Sequence, residues 1–243
     1  MANLYKLNLQ WRLKRFIAMA ITFIEKMSFF SNRELIIKDT PLLDSKIFEN
    51  VEKIVQPGVV KYFILHKETL AFIVDAFKGD EFLYLLNRMG VTKPEVSYIT
   101  FYQTEHLEDP SQSVYANHWH TDDTLRPNAV KFFQLPCELD ESIGPLETLD
   151  REDTASNWKK GFIRGRIQPT EHATPFKFTS NRSGLLVNTN KCMHRAGVPE
   201  KGKVRAMLMV QINDGAGKCS IEKLYERQFT KEPTLLKDFF SSK

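Results

Sequence analysis

Two histidines and one aspartate, drawn from two separate parts of the chain, could together hold a metal ion. His120 and Asp122 stand two residues apart in the run 117–123. In an extended strand alternate side chains share one face, so this imidazole and this carboxylate can enter the same cavity. Two histidines and a carboxylate on one face of an iron(II) ion leave the opposite positions open for substrate and dioxygen. The third ligand must therefore come from elsewhere in the chain.

His194 is the histidine best placed to complete this set. It follows a strand predicted at 185–188 and precedes one predicted at 204–212. Three other histidines lie in helical or loop-like stretches: His66, His106 and His172. Arg205 comes eleven residues after His194, at the start of the later strand. If the two strands pair antiparallel, its guanidinium reaches the same cavity, where its planar fork fits the distal carboxylate of 2-oxoglutarate.

These residues are carried by a part of the chain that is rich in short strand patterns. β-branched and aromatic residues predict strands at 96–102, 129–135, 161–167, 176–179, 185–188 and 204–212. Clusters of glycine, proline, asparagine and aspartate separate these strands and predict turns. Many short strands punctuated by turns are typical of a β-sandwich or a barrel.

The flanking parts of the chain have helical patterns. Residues 34–93 are predicted to be mixed but mostly helical, with an apolar face over 68–89 that is interrupted near Gly79 and ends by Gly90. A further peripheral helix is predicted at 221–240. We therefore expect one compact domain made of a helical region (1–94), a catalytic β core (95–215) and a helical extension (216–243).

The N-terminal segment is basic and amphipathic. Residues 1–33 carry a net charge of +5 while the whole 243-residue chain carries +4, so no nucleic-acid groove is expected on the rest of the chain. The helical pattern at 9–30 holds an apolar run of about nine residues, whereas a membrane span needs roughly 20. Such a helix either packs on the domain or makes peripheral contact with an anionic membrane surface.

The cysteines indicate the compartment. Cys137, Cys192 and Cys219 are too few and too widely spaced for a disulfide framework or a zinc cluster. Free thiols are typical of the reducing cytoplasm, a location that also suits an iron(II) enzyme.

The candidate ligands and the residues around them resemble the motifs of a known family. The runs Trp119-His120-Thr121-Asp122 and His194-Arg195-Ala196-Gly197, followed by Arg205, are similar to the phytanoyl-CoA dioxygenase-like branch of the iron(II)/2-oxoglutarate-dependent oxygenases. Residues 132–135 and 144–146 also resemble the central strand and Gly-Pro turn of that branch. The resemblance covers residues 95–213, about half of the chain.

The resemblance implies a fold, a ligand set and a reaction. The fold would be mainly β with flanking helices (α+β), around a double-stranded β-helix of the jelly-roll or cupin-like type. Iron(II) would be held by His120, Asp122 and His194, and Arg205 would bind 2-oxoglutarate. The enzyme would consume O2 and 2-oxoglutarate, release succinate and CO2, and hydroxylate a small-molecule substrate.

Two positions matter for the details of the resemblance. The family often has a hydroxyl side chain two residues after the distal histidine, and here that residue is Ala196, so the second contact to 2-oxoglutarate is unassigned. Related halogenases replace the carboxylate ligand with a small residue to make room for halide. Asp122 therefore favours hydroxylation or desaturation over halogenation.

Two other functions compete with the oxygenase. His118, His120 and Asp122 resemble the zinc motif of the metallo-β-lactamases, although that motif normally continues with a histidine and here Asp123 follows. A non-catalytic cupin-like binding protein would keep the fold without turnover. On the oxygenase hypothesis His118 supports a ligand instead of being one, and Trp119 points away from the metal because it alternates with His120.

Overall fold

The computed structural model describes residues 33–229, except 50, 55–57, 113, 115, 123–128, 160–171 and 216–218. All the strands and helices that it describes belong to the unit Leu35–Lys243. The helix predicted at 9–30, with its proposed membrane contact, and the strand predicted at 161–167 lie outside the described residues. Among the helices that are described, none combines the length and the apolar character needed to cross a bilayer.

The larger sheet in the described residues has seven strands, and every neighbouring pair is antiparallel. Its strands are β1 Ile36–Thr40, β2 Val51–Ile54, β3 Val60–Leu65, β4 Pro94–Glu105, β5 Val130–Gln134, β8 Gly184–Val187 and β10 Val204–Asp214. Across the sheet they run in the order β1-β8-β5-β10-β4-β3-β2. The central strand β10 pairs with β4 along its whole length, so it forms the frame on which the other strands align.

A smaller antiparallel sheet accompanies it. Its strands are β6 Leu146–Thr148, β7 Phe176–Phe178 and β9 His194–Ala196, in the order β7-β6-β9. The middle strand β6 places Thr148 opposite His194 and Leu146 opposite Ala196. One of the candidate metal ligands is thus already part of a sheet.

The described helices are short. They are α1 Lys67–Ala76, α2 Asp80–Arg88, α3 Arg151–Lys159 and α4 Ile221–Arg227, with 3-10 turns at Ser45–Phe48 and Glu141–Ile143. Gly79 precedes α2, which has two acidic residues in its first turn and Arg88 in its last. These charges interact favourably with the helix dipole and stabilise both ends of the helix. Gly90 then takes a positive φ of 81° that ends the segment. The predicted interruption at Gly79 is therefore confirmed.

The two faces of the larger sheet pack against different layers. Leu208 and Val210 of β10 share a buried cluster with Ile73 of α1 and Leu86 of α2, so this face is covered by helices. Met207 shares a second cluster with residues of β5, β6 and β7, namely Phe133, Leu146 and Phe178. We call the face that carries Phe133 and Met207 the inner face, since it faces the smaller sheet.

The predicted strands at 96–102, 129–135, 176–179, 185–188 and 204–212 are confirmed as β4, β5, β7, β8 and β10. A mainly antiparallel β fold with a few helices is confirmed as well. The expectation of mostly helical structure was wrong for the early part of 34–93, because β1, β2 and β3 lie there and join the large sheet. These strands are short and sit towards its two edges, so they carry no clean alternation of buried and exposed residues.

Candidate metal centre

His120 and His194 lie directly opposite each other. The amide of His120 donates to the carbonyl of His194 (3.1 Å), and the amide of His194 donates to the carbonyl of His120 (2.9 Å). They form an antiparallel bridge at the edge of β9. Side chains of such a pair project from the same face, and the two imidazole centroids are 4.3 Å apart. The backbone therefore delivers two imidazoles to one point.

Asp122 joins the two histidines through a second backbone contact. Its amide donates to the carbonyl of Thr189 at 2.9 Å, in the turn that leads from β8 to His194. Because Asp122 is two residues beyond His120 in extended chain, its side chain emerges on the same face. Its Oδ1 lies 3.8 Å from Nε2 of His120 and 3.9 Å from Nε2 of His194. One ligand atom from each residue lies within 4.8 Å of the others.

Both imidazoles are held in the tautomer that a metal site needs. Nδ1 of His120 is 2.7 Å from the carbonyl of His118, and Nδ1 of His194 is 3.1 Å from the carbonyl of Cys192. A carbonyl oxygen can only accept, so in the neutral ring the proton sits on Nδ1 and the lone pair on Nε2. Hydrogen bonds of this kind are the usual support for metal-ligating histidines. The three donors therefore fit a divalent metal ion.

Asp122 is held in its ionised form. Burial raises the pKa of this carboxyl group, but the ammonium of Lys131, the nearby His194 and a hydrogen bond from Thr189 lower it by more. The net result is a pKa well below the usual range for aspartate. Lys131 reaches it from β5, with Nζ 2.7 Å from Oδ2. Asp122 is thus a carboxylate, the form that binds metal, throughout the neutral pH range.

The chain segments that carry His120 and His194, here called the ligand segments, are supported on the side away from the metal-binding atoms. Trp119 is buried in a cluster with Leu149 and Met193, so it points away from the metal cluster as predicted. The guanidinium of Arg195 lies 4.9 Å from the centre of the Trp119 ring. Two nitrogens of Arg195 contact Oε2 of Glu147, at 2.8 and 2.7 Å. Arg195, to which the sequence assigns no role, therefore braces the chain next to both histidines.

Arg205 is fully buried at the start of β10. It is two residues from Met207 along the strand, so it shares the inner face. Its Nη1 donates to the carbonyls of Gly144 (2.7 Å) and Gly197 (3.1 Å). Gly197 follows His194 by three residues, which places the guanidinium beside the turn that leaves the distal histidine. One end of the guanidinium is thus fixed by backbone.

The two glycines bound by Arg205 belong to turns in direct backbone contact. A Cβ on Gly197 would lie 2.7 Å from the carbonyl carbon of Gly144 and 2.7 Å from the oxygen of Pro145. The amide of Gly197 donates to that same oxygen at 2.9 Å. No larger residue fits at Gly197 without moving one of the turns. The Gly-Pro turn singled out in the sequence therefore positions Arg205.

The remaining candidate histidines lie outside the cluster. Nε2 of His118 is 3.0 Å from the carbonyl of Pro110, and Nδ1 of His106 is 2.8 Å from the carbonyl of Pro199. His118 supports His120 through its backbone oxygen, as expected of a residue that assists a ligand. The zinc motif requires the ring of His118 as a ligand, and among the described residues the cluster holds only His120, Asp122 and His194.

Two residues of the site were not predicted from the sequence. Lys131 lies two residues from Phe133 in a predicted strand, so a charged residue at an inward position was the signal that could have revealed it. Thr189 supports Asp122 through its backbone carbonyl and its hydroxyl group. Nothing in the sequence distinguishes Thr189 from other turn residues.

Comparison with known proteins gives structural likenesses only. No model of a known protein family matches the chain, and no curated protein matches it in sequence. The chain is similar to the non-heme alpha ketoglutarate dependent epimerase SnoN from nogalamycin biosynthesis, with a TM-score of 0.49 and 11% identity over 75% of this chain and 79% of that one.

Two further solved structures are similar to a comparable degree. HygX from Streptomyces hygroscopicus, with nickel and 2-oxoglutarate bound, has a TM-score of 0.47 and 13% identity over 80% of this chain and 88% of that one. The alpha ketoglutarate dependent carbocyclase SnoK has a TM-score of 0.43 and 12% identity over 76% and 81%. Likenesses at this level assign no activity to this chain.

Proposed function

We propose that the chain is a non-haem iron(II)- and 2-oxoglutarate-dependent oxygenase of the phytanoyl-CoA dioxygenase-like kind, acting on a small molecule. The observation that carries the proposal is the convergence of His120, Asp122 and His194 within 4.8 Å, with both Nδ1 atoms held by backbone carbonyls. Two imidazoles and one carboxylate are the donor set of the non-haem iron(II) oxygenases.

The arrangement of the sheets supports a double-stranded β-helix as the core. Two antiparallel sheets lie on either side of one apolar cluster, and Cys192 of that cluster contacts His194 through its carbonyl oxygen. His194 belongs to the smaller sheet, whereas Arg205 belongs to the larger one. In a cavity between the two sheets, the metal would be bound from the side of the smaller sheet. The guanidinium of Arg205, which would bind the co-substrate, would enter from the side of the larger sheet.

Each residue has a defined task in this proposal. His120, His194 and Asp122 hold iron(II), and Arg205 binds the distal carboxylate of 2-oxoglutarate. Held by these residues, iron(II) would supply the chemistry that couples the reaction of O2 with 2-oxoglutarate, with release of succinate and CO2, to oxidation of the substrate. Because Asp122 keeps its carboxylate where the halogenases have a small residue, hydroxylation or desaturation is the expected outcome.

The inner face beside the residues that hold the candidate ligands is apolar. Side chains of the inner cluster next to the site are fully or almost fully buried, among them Phe133, Val187 and Cys192. Exclusion of water strengthens the electrostatic hold of the carboxylate and guanidinium on their partners. In the proposed enzyme the apolar inner face would thus favour the binding of these charged partners in addition to stabilising the fold.

Anaerobic titration tests the proposal. Iron(II) and 2-oxoglutarate together should give the weak visible charge-transfer band of their chelate, and His120→Ala or Asp122→Ala should abolish it. His106→Ala is the matched control, because its imidazole is also bound to a backbone carbonyl but lies outside the cluster. An unaltered band in Asp122→Ala would contradict the ligand assignment.

Two further measurements separate the competing functions. The zinc hydrolase predicts tight zinc binding that is lost in His118→Ala, whereas the oxygenase predicts that His118→Ala keeps the iron(II) chelate. A non-catalytic binding protein would show the chelate but never form succinate. Succinate release, measured across a library of small molecules, distinguishes the enzyme from the binding protein and identifies the substrate class.

A further inference from the structure

Lys131 brings a positive charge to the metal cluster from the larger sheet. It lies on β5, opposite Gln211 of β10 and Val187 of β8, so its backbone is held by strands on both sides. Its side chain is only 15% exposed, and Nζ lies 2.7 Å from Oδ2 of Asp122. A lysine held in this way has little freedom to leave its partner.

The two oxygens of Asp122 consequently have different surroundings. Oδ1 faces Nε2 of His120 at 3.8 Å and Nε2 of His194 at 3.9 Å. Oδ2 is the oxygen that faces the ammonium of Lys131. The carboxylate is therefore turned with one oxygen towards the histidines and the other towards the lysine.

We propose that Lys131 is a positioning residue that limits Asp122 to one metal-binding oxygen and favours the binding of 2-oxoglutarate at the expense of metal affinity. The inference rests on the proposed function. A carboxylate with both oxygens available can take two coordination positions, and 2-oxoglutarate needs two positions of its own. By engaging Oδ2, Lys131 reserves a position for the co-substrate.

The charge of Lys131 acts in the same direction as its contact with Oδ2. An ammonium group beside the site repels a metal dication and attracts the dianion of 2-oxoglutarate. Removal of the lysine should therefore tighten metal binding and weaken co-substrate binding. A variant with a damaged fold would instead lose affinity for both, so the opposite signs identify the positioning role.

The test uses the full chain, with Co2+ as a coloured probe that does not react with air as iron(II) does. Co2+ is titrated into the metal-free protein and followed by visible absorption, and 2-oxoglutarate is then titrated into the cobalt form. In Lys131→Met the dissociation constant for Co2+ should fall about tenfold and that for 2-oxoglutarate should rise about tenfold, a modest change for the removal of one unit charge beside a partly buried site. The cobalt spectrum should change as well.

Two other variants complete the experiment. Lys131→Arg keeps a cationic donor and should move both constants back towards the wild-type values. Lys61→Met is the matched control, since Lys61 is a partly buried lysine of β3 that is ion-paired with Glu105 in the same sheet. Both of its dissociation constants and its cobalt spectrum should equal those of the wild type.

Failure of this inference is distinguishable from failure of the proposed function. If the wild type binds Co2+ and 2-oxoglutarate, and Lys131→Met matches it in both constants and in the spectrum, the role of Lys131 is refuted while the oxygenase stands. Loss of both affinities in Lys131→Met refutes it too. If the wild type binds no Co2+, or Asp122→Ala binds it equally well, the proposed function and the role of Lys131 fall together.

Discussion

His120 and His194, which are 74 residues apart in the sequence, exchange both backbone hydrogen bonds across a single antiparallel bridge. The same bridge brings their imidazoles side by side. Because the bridge is made of backbone, the two rings are positioned before any metal arrives, and the entropy of ordering them is lost on folding instead of on binding. Predictions about this site can therefore be tested on the metal-free protein as well as on its complexes.

Arg205 should govern the affinity for 2-oxoglutarate without affecting the metal. Arg205→Lys keeps the charge but loses the planar fork, so the dissociation constant for 2-oxoglutarate should rise by roughly 10-fold to 100-fold, about 1.4–2.7 kcal/mol. Calorimetric titration of the cobalt form measures this change. Arg195→Lys is the control, because Arg195 contacts Glu147 and Trp119 behind the ligand segments. This variant should bind 2-oxoglutarate like the wild type. Equal affinity in Arg205→Lys would remove Arg205 from the co-substrate site.

Gly197 should tolerate no side chain. In Gly197→Ala the new methyl group would lie 2.7 Å from backbone atoms of Gly144 and Pro145, so the two turns must separate. We expect a loss of about 1–3 kcal/mol in the free energy of unfolding, as for an overpacked core, and weaker binding of 2-oxoglutarate because Arg205 loses its anchor. Urea denaturation and co-substrate titration measure the two effects.

Gly202→Ala is the matched control for that variant. A Cβ on Gly202 would have open space, with nothing within 4 Å, but the residue has a φ of +82°. The expected loss is therefore about 1 kcal/mol, from backbone strain alone, and the affinity for 2-oxoglutarate should not change. Equal effects of the two substitutions on co-substrate binding would show that the contact between the two turns is irrelevant to Arg205.

The contact between Arg195 and Glu147, behind the ligand segments, should contribute to the stability of the fold and not to metal affinity. Glu147→Gln removes the charge that Arg195 contacts with two nitrogens in a mostly buried setting, so the free energy of unfolding should fall by about 1 kcal/mol. Glu141→Gln removes a comparable but exposed ion pair with Lys177 and should leave the stability unchanged within error. Metal titration of both variants should give wild-type constants; a large loss in Glu147→Gln would make the brace part of the metal site.

The metal-free protein should lose stability in acid partly through Asp122. The pKa of this group is lower in the folded state than its ordinary value of 3.8. The unfolded chain therefore binds a proton more readily, and the stabilisation, which is present above about pH 4, is lost as the pH falls towards the folded pKa. In Asp122→Asn the decline below pH 4 should be shallower. Urea denaturation at a series of pH values measures this decline in the free energy of unfolding. An identical slope against pH in the wild type and the variant would contradict the lowered pKa of Asp122 in the folded state.

The part of the site that follows from local geometry could be predicted from the sequence. Alternation along an extended chain places His120 and Asp122 on one side and Trp119 on the other, and this requires only that the segment be extended. Within the described residues this segment belongs to neither sheet, and its one bridge is the pair His120–His194. Even so, the alternation holds, because it depends on backbone conformation and not on sheet membership.

The part that depends on backbone atoms from distant segments could not be predicted. The carbonyls that hold the two imidazoles and the guanidinium of Arg205 have no residue signature, since every residue carries a carbonyl group. The pairing of Lys131 with Asp122 required knowledge of which strand lies beside the loop. Likewise β2 and β3 form a hairpin at the sheet edge, where pairing with β4 overrides a mixed local pattern.

The turn before His194 contains Cys192, whose carbonyl oxygen orients the His194 ring and whose thiol is unreactive. Burial raises the pKa of the Cys192 thiol to about 12, so almost none of it is present as the reactive thiolate at neutral pH. Cys137, by contrast, is exposed. Peroxide or an alkylating reagent should therefore modify Cys137 first. The contact of the Cys192 carbonyl oxygen with Nδ1 of His194 should survive oxidative conditions that modify the surface of the protein.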